Sequence, residues 1–249
     1  MTQLCFEQFT QHSTVSDAVA VVCKAVIICQ IRLAKVGAKF AELAIVANTR
    51  GAEEAVVFDE ISYLGFPFSI SPTFQLRNTN SSMEESISRV EEIQNLCIKN
   101  NKELLVYLSM GFGNPYNDEY NAETLLHWAD EMVQKDIRII SLADTVGLAT
   151  PLQISFALHT LIPQYPETEF GVHLHSSVHN RQEKLNAAVQ AGCTRFDGAL
   201  KGIGGCPMAQ DDLVGNMDTI YMLDCFKETV QYNNEALMNS LQIAGEIFI

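Results

Sequence analysis

The chain has 249 residues, of which 47% are hydrophobic and 18% charged, so its composition is that of a globular protein with a substantial core. Thirty acidic residues against sixteen basic ones give a formal net charge of −14 at pH 7. This charge repels polyanions and argues against nucleic acid as a partner. The seven cysteines form no CxxC pair, which disfavours a disulfide framework or a zinc ribbon and favours a reducing, cytoplasmic compartment.

The apolar stretch at 18–34 is the one candidate for a membrane span or an export signal. Lys24 and Arg32 interrupt it, and it lies too deep in the chain for a signal peptide. We therefore expect it to belong to a core, and we expect no membrane association.

From about Leu43 onward, short apolar runs alternate with longer amphipathic stretches, a pattern typical of repeated βα units. The predicted strands are 43–47, 66–71, 103–109, 139–144, 170–175 and 195–200. The predicted helices are 52–64, 82–100, 121–135, 151–162, 181–191, 218–231 and 234–248. Ser82 is a predicted N-cap followed by acidic residues, and Thr150-Pro151 places proline in the first turn of another helix.

Repeated βα units close into a (β/α)8 barrel or form an open doubly wound sheet. No glycine-rich nucleotide-binding fingerprint follows an early strand, which favours an α/β fold of the TIM-barrel type. A barrel needs eight strands, and residues 1–42 are too few for two units of roughly thirty residues each. We therefore expect about six recognisable units in a barrel domain at 43–249. An atypical segment at 1–42, from a truncated or displaced reading frame, would replace the first units.

His173 and His175 stand in FGVHLHSS, at the end of the fifth predicted strand. Alternation along a strand places both imidazoles on the same side. At the carboxyl end of a barrel strand, two such rings can bind one divalent ion. Taken alone, the pattern fits a packed or surface pair equally well, so the neighbouring motifs have to decide.

A glycine-rich stretch, KGIGGCPMAQDDLVGN at 201–216, follows the last predicted strand. Glycines let a backbone pass close to a ligand, and a mobile loop could carry Cys206 over a bound substrate as an acid or a nucleophile. Asn216 offers a neutral oxygen that could complete a metal site. The alternatives are a phosphate-binding loop and a plain turn.

Asp144 ends the predicted strand in SLADTVGLATP, at 141–151. An aspartate at such a turn is, by itself, more typical of an N-cap or turn former than of a catalytic residue. The motifs that accompany Asp144 along the sequence change that interpretation.

The motifs occur in a fixed order, SLADTVGLATP, then GVHLH, then FDGALKGIGGCPMAQ and GN. Together they resemble the hydroxymethylglutaryl-CoA lyase family, whose signature is a Gly-Leu-Gly-Gly-Cys-Pro loop within the larger group of metal-dependent TIM-barrel lyases and acyltransferases. The similarity runs from about residue 43 to the C-terminus. It includes IVAN at 45–48, SMEES at 82–86, YLSMGFGNPY at 107–116 and YMLD at 221–224.

The resemblance implies a carbon–carbon lyase of leucine degradation that cleaves 3-hydroxy-3-methylglutaryl-CoA to acetoacetate and acetyl-CoA with Mg²⁺ or Mn²⁺. The implied metal ligands are His173, His175 and Asn216. The implied catalytic residues are Cys206, which would protonate the acetyl-CoA enolate, His173 and Asp144. The implied substrate-binding residues are Asn48, Tyr107 and Ser141. The implied partner is a small-molecule acyl-CoA.

The chain departs from the family pattern on the first strand, where the family has an Arg-Asp pair. The aspartate is a metal ligand and the arginine steadies the enolate. Residues 1–42 contain no such pair, since their only arginine is Arg32 and their only aspartate is Asp17. Two imidazoles and an amide are a poor ligand set for Mg²⁺, so we expect weak metal binding unless Asp144 or a residue of 1–42 substitutes for the missing aspartate. Loss of the arginine removes a charge that stabilises the enolate, and we expect it to cost roughly 10²-fold or more in rate.

Two other functions compete with the lyase. A Claisen-type synthase of the same barrel group is disfavoured, because those enzymes lack a GIGGCP cysteine loop. A catalytically impaired barrel that only binds acyl-CoA or metal is supported by the missing Arg-Asp pair. A homodimer is expected in either case, because an incomplete barrel would expose a strand edge that needs cover.

Overall fold

The computed structural model of the chain describes residues 28–32, 42–204 and 214–247. Its strands are β1 (Ile28–Arg32), β2 (Glu42–Ile45), β3 (Ile61–Ser69), β4 (Glu103–Ser109), β5 (Ile139–Ala143), β6 (Glu169–His173) and β7 (Arg195–Ala199). They form one seven-stranded sheet in the order β1-β7-β6-β5-β4-β3-β2. Neighbours from β2 to β7 are parallel, so their carboxyl ends share one edge of the sheet.

Helices alternate with these strands along the chain. They are α1 (Thr49–Ala55), α2 (Pro72–Thr79), α3 (Met83–Lys99), α4 (Ala122–Gln134), α5 (Pro151–Leu161), α6 (Arg181–Gln190), α7 (Thr219–Cys225) and α8 (Asn234–Ile247), with a 3₁₀ turn at Leu200–Gly202. This alternation of parallel strands and helices is the α/β fold of the TIM-barrel type, as predicted.

Two helix starts follow from local sequence and are confirmed. At the start of α3, Ser82 and Glu85 bond each other's backbone N–H in a capping box. Thr150 and Gln153 do the same at α5, where Pro151 occupies the first turn. Each cap satisfies backbone donors that have no partner inside the helix.

The prediction for 52–79 is wrong in three respects. The predicted helix 52–64 ends at Ala55, and β3 begins at Ile61 rather than at residue 66. Aromatic and β-branched residues at 61–69 favour the strand. Pro67 is tolerated because it lies beyond the last β2 pair, so the strand needs no donor on that side. Helix α2 was not predicted, although Ser71-Pro72 is a capping signal.

The predicted helix 218–231 is shorter in the structure, where α7 ends at Cys225.

The main core lies between the sheet and the helices. Phe68 of β3 packs on Trp128 of α4, with ring centroids 5.1 Å apart, and Phe196 of β7 packs on Phe226, at 5.0 Å. The opposite face of the sheet carries a smaller cluster of Leu105, Tyr107 and Ile139 with Leu43, Ile45 and Tyr63. Both faces of the parallel sheet are therefore covered by apolar side chains, as parallel sheets require.

Strand β1 departs from the barrel pattern. It pairs antiparallel with β7, from Ile28 opposite Ala199 to Arg32 opposite Arg195. A complete barrel has eight parallel strands, so the part of the chain that the structure describes forms an open, incomplete barrel. The sequence predicted no strand in 1–42. The remainder of that segment, 1–27 and 33–41, lies outside the described residues, so its replacement of the first units stays a prediction. Within the described ranges, no helix is both long and apolar enough to cross a bilayer.

Candidate functional site

His173 and His175 lie at the carboxyl edge of the sheet. His173 is the last residue of β6, and His175 follows two positions later. Their ring centroids are 5.4 Å apart, and the rings meet edge to face at 69°. The alternation predicted from the sequence therefore places the two imidazoles beside each other.

Asn216 is held next to the histidines by main-chain pairing. It forms an antiparallel bridge with His175, flanked by Ser176 N–H donating to the Gly215 carbonyl and Met217 N–H donating to the Leu174 carbonyl, both at 2.9 Å. The structure therefore brings the segments that carry the three predicted metal ligands together.

A hydrogen bond fixes the side chain of Asn216. Its amide Nδ2 donates to the Ile203 carbonyl at 2.7 Å. Because the nitrogen is committed to Ile203, the amide oxygen is the atom left to accept a hydrogen bond or to bind a metal.

Both imidazoles are held neutral. Burial and, to a smaller extent, the neighbouring His173 ring lower the pKa of His175 to about 3. Burial also lowers the pKa of His173, an effect opposed by the charge of Asp197. The neutral imidazole is the form that binds metal ions.

A buried ion pair links α6 to the loop after β5. Lys184 Nζ donates to Asp144 Oδ2 at 2.7 Å, and the exposed fractions of the two side chains are 2% and 1%. The same ammonium donates to the Gly147 carbonyl at 3.0 Å and to the His175 carbonyl at 2.8 Å. Asp144 Oδ1 accepts from Ala149 N–H at 2.9 Å. Both oxygens of Asp144 are thus engaged, and its predicted catalytic role stays a prediction.

A second buried polar network lies beside His173, whose partner on the neighbouring strand is Asp197. Ser141 Oγ donates to Asp197 Oδ2 at 2.8 Å, and Arg195 Nη2 lies 3.3 Å from Asp197 Oδ1. Sequence reasoning missed Asp197, Arg195 and Lys184. Arg195-Phe196-Asp197 carried a signal, since charged residues at alternate positions of an apolar strand share one face. The signal at Lys184 was weaker: it lies four residues before the buried Ala188, on the same face of the helix.

The other predicted site residues differ in how close they lie to the histidines. The buried Tyr107 ring of β4 meets His173 edge-on, with centroids 5.8 Å apart. Asn48 lies at the carboxyl end of β2, where its side chain caps α1 by accepting from Gly51 N–H at 2.9 Å. Cys206 belongs to 205–213, outside the described residues, and its role stays a prediction.

The chemical types of the candidate ligand atoms, two imidazole nitrogens and one amide oxygen, suit a divalent metal. No group of three or more His, Cys, Asp or Glu side chains in the described ranges is arranged to hold an ion. The set is two neutral imidazoles and one amide oxygen, and the buried Nδ1 of His173 has no hydrogen-bond partner in that part of the chain. A bound ion would relieve such an unpaired buried atom. The nearby carboxylates of Asp144 and Asp197 are already paired.

The fold and the site define a TIM-barrel-type protein with a polar site at the carboxyl ends of its parallel strands, where barrel active sites lie. The model of the HMGL-like family matches residues 10–239. The chain belongs to this family, as the sequence motifs predicted.

Two curated relatives are hydroxymethylglutaryl-CoA lyases. YngG of Bacillus subtilis is 33% identical over 184 residues, which are 73% of this chain and 61% of the relative. The cytoplasmic enzyme of Rattus norvegicus is 30% identical over 184 residues, which are 72% of this chain and 53% of the relative. The chain thus spans less than two thirds of the length of these relatives.

Solved structures of the same kind share the fold. The HMG-CoA lyase of Bacillus subtilis superposes with a TM-score of 0.73 at 29% identity, covering 82% of this chain and 70% of that one. An HMG-CoA lyase of Acinetobacter baumannii in complex with coenzyme A and 3-methylmalate gives a TM-score of 0.73 at 24% identity, with coverages of 86% and 71%. These matches agree with the predicted barrel class.

Proposed function

We propose that this chain is a carbon–carbon lyase that cleaves 3-hydroxy-3-methylglutaryl-CoA to acetoacetate and acetyl-CoA, a step of leucine degradation. The observation that carries the proposal is the gathering of His173, His175 and Asn216 at the carboxyl edge of a barrel-type sheet in an HMGL-like chain. The curated relatives are named as lyases of this substrate, and one structural neighbour was solved with coenzyme A. Both support an acyl-CoA as the substrate class.

We propose Mg²⁺ or Mn²⁺ as the cofactor, held by His173, His175 and Asn216. A bound divalent ion would supply Lewis-acid polarisation of the hydroxyl and carbonyl oxygens of the substrate. The chain itself keeps both rings neutral by burial. It also presents the amide oxygen by holding the amide nitrogen on Ile203.

The remaining side chains act on the substrate around this centre. Cys206 is the proposed acid, whose thiol gives its proton to the carbon of the acetyl-CoA enolate while the thiolate is left behind. Tyr107 and Ser141 are the proposed substrate-binding residues near the histidines, where the Tyr107 ring packs against His173 and Ser141 donates to Asp197. Asn48 is proposed to contact the substrate at the rim, where it is exposed.

A lyase assay on the purified full chain tests the proposal. Acetyl-CoA formation is followed with Mg²⁺ or Mn²⁺ present, for the wild type, Cys206→Ala and Cys225→Ala. Cys225 is an exposed free cysteine of α7 and serves as the matched control. We expect Cys206→Ala to lose roughly 10²- to 10⁴-fold in rate, the usual contribution of a general acid, and Cys225→Ala to retain wild-type activity. A folded wild type without turnover would refute the lyase assignment.

A second function, acyl-CoA or metal binding without turnover, has its own support. The nearby described carboxylates are paired, and residues 1–42 lack an Arg-Asp pair. Calorimetric titration of the metal-loaded protein with 3-hydroxy-3-methylglutaryl-CoA separates the two functions. Saturable binding without acetyl-CoA release would favour the binder, whereas product release would exclude it.

We further propose a cytoplasmic homodimer that associates through the outer face of α5. Leu152 and Phe156 of α5 are 80% and 41% exposed, and Leu148, just before the helix, is 59% exposed. The stretch 145–166 contains no Asp, Glu, Lys or Arg. In a chain of net charge −14, such an uncharged apolar face lets two copies meet with little repulsion. Sedimentation velocity should show a dimer that Leu152→Glu converts to monomer and that Val57→Glu, a change of another exposed apolar residue, leaves intact.

A further inference from the structure

Lys184 is a buried cation with every donor satisfied. Its ammonium has three N–H groups and three acceptors, Asp144 Oδ2 at 2.7 Å, the Gly147 carbonyl at 3.0 Å and the His175 carbonyl at 2.8 Å. Its side chain is 2% exposed. A lysine is rarely buried to this extent unless its charge is paired, and Asp144 supplies the pairing charge.

The three acceptors belong to two separate loops. Asp144 and Gly147 lie in the loop after β5, whereas His175 lies in the segment after β6. One ammonium, delivered by α6, therefore ties both loops together at the carboxyl edge of the sheet. The His175 segment is held on its other side by its main-chain bonds to 215–217. Lys184 and the Asn216 segment thus fix His175 from two directions.

We infer that Lys184 is a positioning residue that sets the separation of the two imidazoles and the amide by clamping the loop after β5 to the His175 main chain. The inference rests on the proposed function, because it gives those three groups their purpose. Lysine suits the task because a tetrahedral ammonium can donate in three directions, which the planar fork of arginine does not reproduce. Its partner Asp144 cancels the charge, so the pair brings no net charge next to the rings.

The test compares Lys184→Met with Lys102→Met in the full chain. Lys102 is a matched control, because its ammonium also donates to a main-chain carbonyl, that of Phe58 at 2.8 Å, but at the amino end of β4. Amide hydrogen exchange is measured on metal-free protein, and Mn²⁺ affinity is measured by electron paramagnetic resonance. We expect Lys184→Met to accelerate exchange across 144–149 and 174–176 and to weaken Mn²⁺ binding about 10- to 100-fold, as loss of a ligand-orienting partner does. Lys102→Met should do neither.

A double variant separates positioning from simple stability. Lys184→Met with Asp144→Leu removes both charges, so no buried carboxylate is left unpaired, and it should recover much of the stability that the single change loses. If Lys184 positions the site, the double variant still binds Mn²⁺ weakly and still exchanges fast at 174–176. Should the single variant fail to fold, the double variant supplies the same comparison.

Three results would overturn parts of this account, and they can be told apart. Wild-type exchange rates in the Lys184 variants would refute the clamp. Faster exchange with unchanged Mn²⁺ affinity would refute the positioning role and leave the proposed function standing. A wild type that binds no Mn²⁺ would reject the proposed metal site and any positioning of it, while exchange would still decide whether the clamp exists.

Discussion

The guanidinium of Arg195 lies 3.3 Å from the carboxylate of Asp197, and both side chains are completely buried. The other carboxylate oxygen accepts from Ser141. None of the described residues accepts a hydrogen bond from Nε, Nη1 or Nη2 of the arginine. The pair therefore depends mainly on its charges, and removing one partner leaves the other charge buried and uncompensated.

Replacing Arg195 with methionine should cost about 3–5 kcal/mol in the free energy of unfolding, the usual cost of breaking a buried ion pair. Urea denaturation measures the loss. The double variant with Asp197→Leu should lose much less than the two single changes summed, because it strands neither charge. Additive losses would show that the two groups do not interact.

The free energy of unfolding should decrease as the pH is lowered, because of His175. The folded pKa of His175 is about 3, below its ordinary value of 6.5, so between these values the unfolded chain binds more protons than the folded one. In metal-free protein, the free energy of unfolding should therefore drop by about 1 kcal/mol per pH unit for this group below pH 6.5.

Histidine variants identify the source of that slope. His175→Gln should flatten the dependence between pH 6.5 and 4.5, measured by urea denaturation. The control His159→Gln alters an exposed histidine of α5 and should leave the slope as in the wild type. Equal slopes in all three proteins would contradict the low pKa of His175.

Gly147 should not tolerate alanine. Its φ is +73°, and a Cβ atom there would meet three side-chain atoms of Val214 at 2.8 to 3.0 Å. The strained backbone alone costs roughly 1–3 kcal/mol, and the clash pushes on the strand-like segment that carries Asn216. Gly147→Ala should thus lower both thermal stability and Mn²⁺ affinity.

Gly192→Ala is the matched control for that prediction. Gly192 also has a positive φ, +89°, but a Cβ atom would meet nothing within 4 Å. It should carry the backbone penalty with unchanged Mn²⁺ affinity. Equal effects of the two substitutions would mean that the contact with Val214 is without consequence.

Mn²⁺ should bind more tightly than Mg²⁺. The described ligand set has two imidazole nitrogens and one amide oxygen, and Mg²⁺ depends more strongly on carboxylate oxygens. Competition titration followed by the Mn²⁺ resonance signal measures the ratio. Equal or tighter Mg²⁺ binding would indicate that a carboxylate outside the described residues completes the site.

Local sequence patterns predicted much of the fold. The Thr150-Pro151 pair marked the start of α5, and alternation placed His173 and His175 on one side of β6. Signals failed where tertiary pairing decided the outcome. The stretch 61–64 has an apolar pattern compatible with a helix, yet it becomes part of β3 because β2 and β4 pair with it on both sides.

In the site, too, some residues were predictable from sequence motifs, whereas others depend on tertiary contacts. The predicted ligands come from the resemblance of their motifs to those of a known family, but Lys184 and Asp144 are separated by 40 positions in sequence, and nothing local links them. Likewise, Ser141 and Asp197 are 56 positions apart. Such contacts exist only once the parallel strands have brought their carboxyl ends to one edge. Without a family motif, a residue's neighbours could therefore be predicted only where they lie on its own strand.

The antiparallel pairing of β1 bears on how the molecule acquires its shape. Ile28 lies in the first described strand of the sheet, yet its partner Ala199 belongs to the last described strand. The chain between them must be made, and its helices and strands placed, before the two can meet, and closing so long a loop is entropically slow. During translation β1 therefore stays unpaired until β7 has been made, and the pairing of these two strands should be a late step of folding that a chaperone can assist.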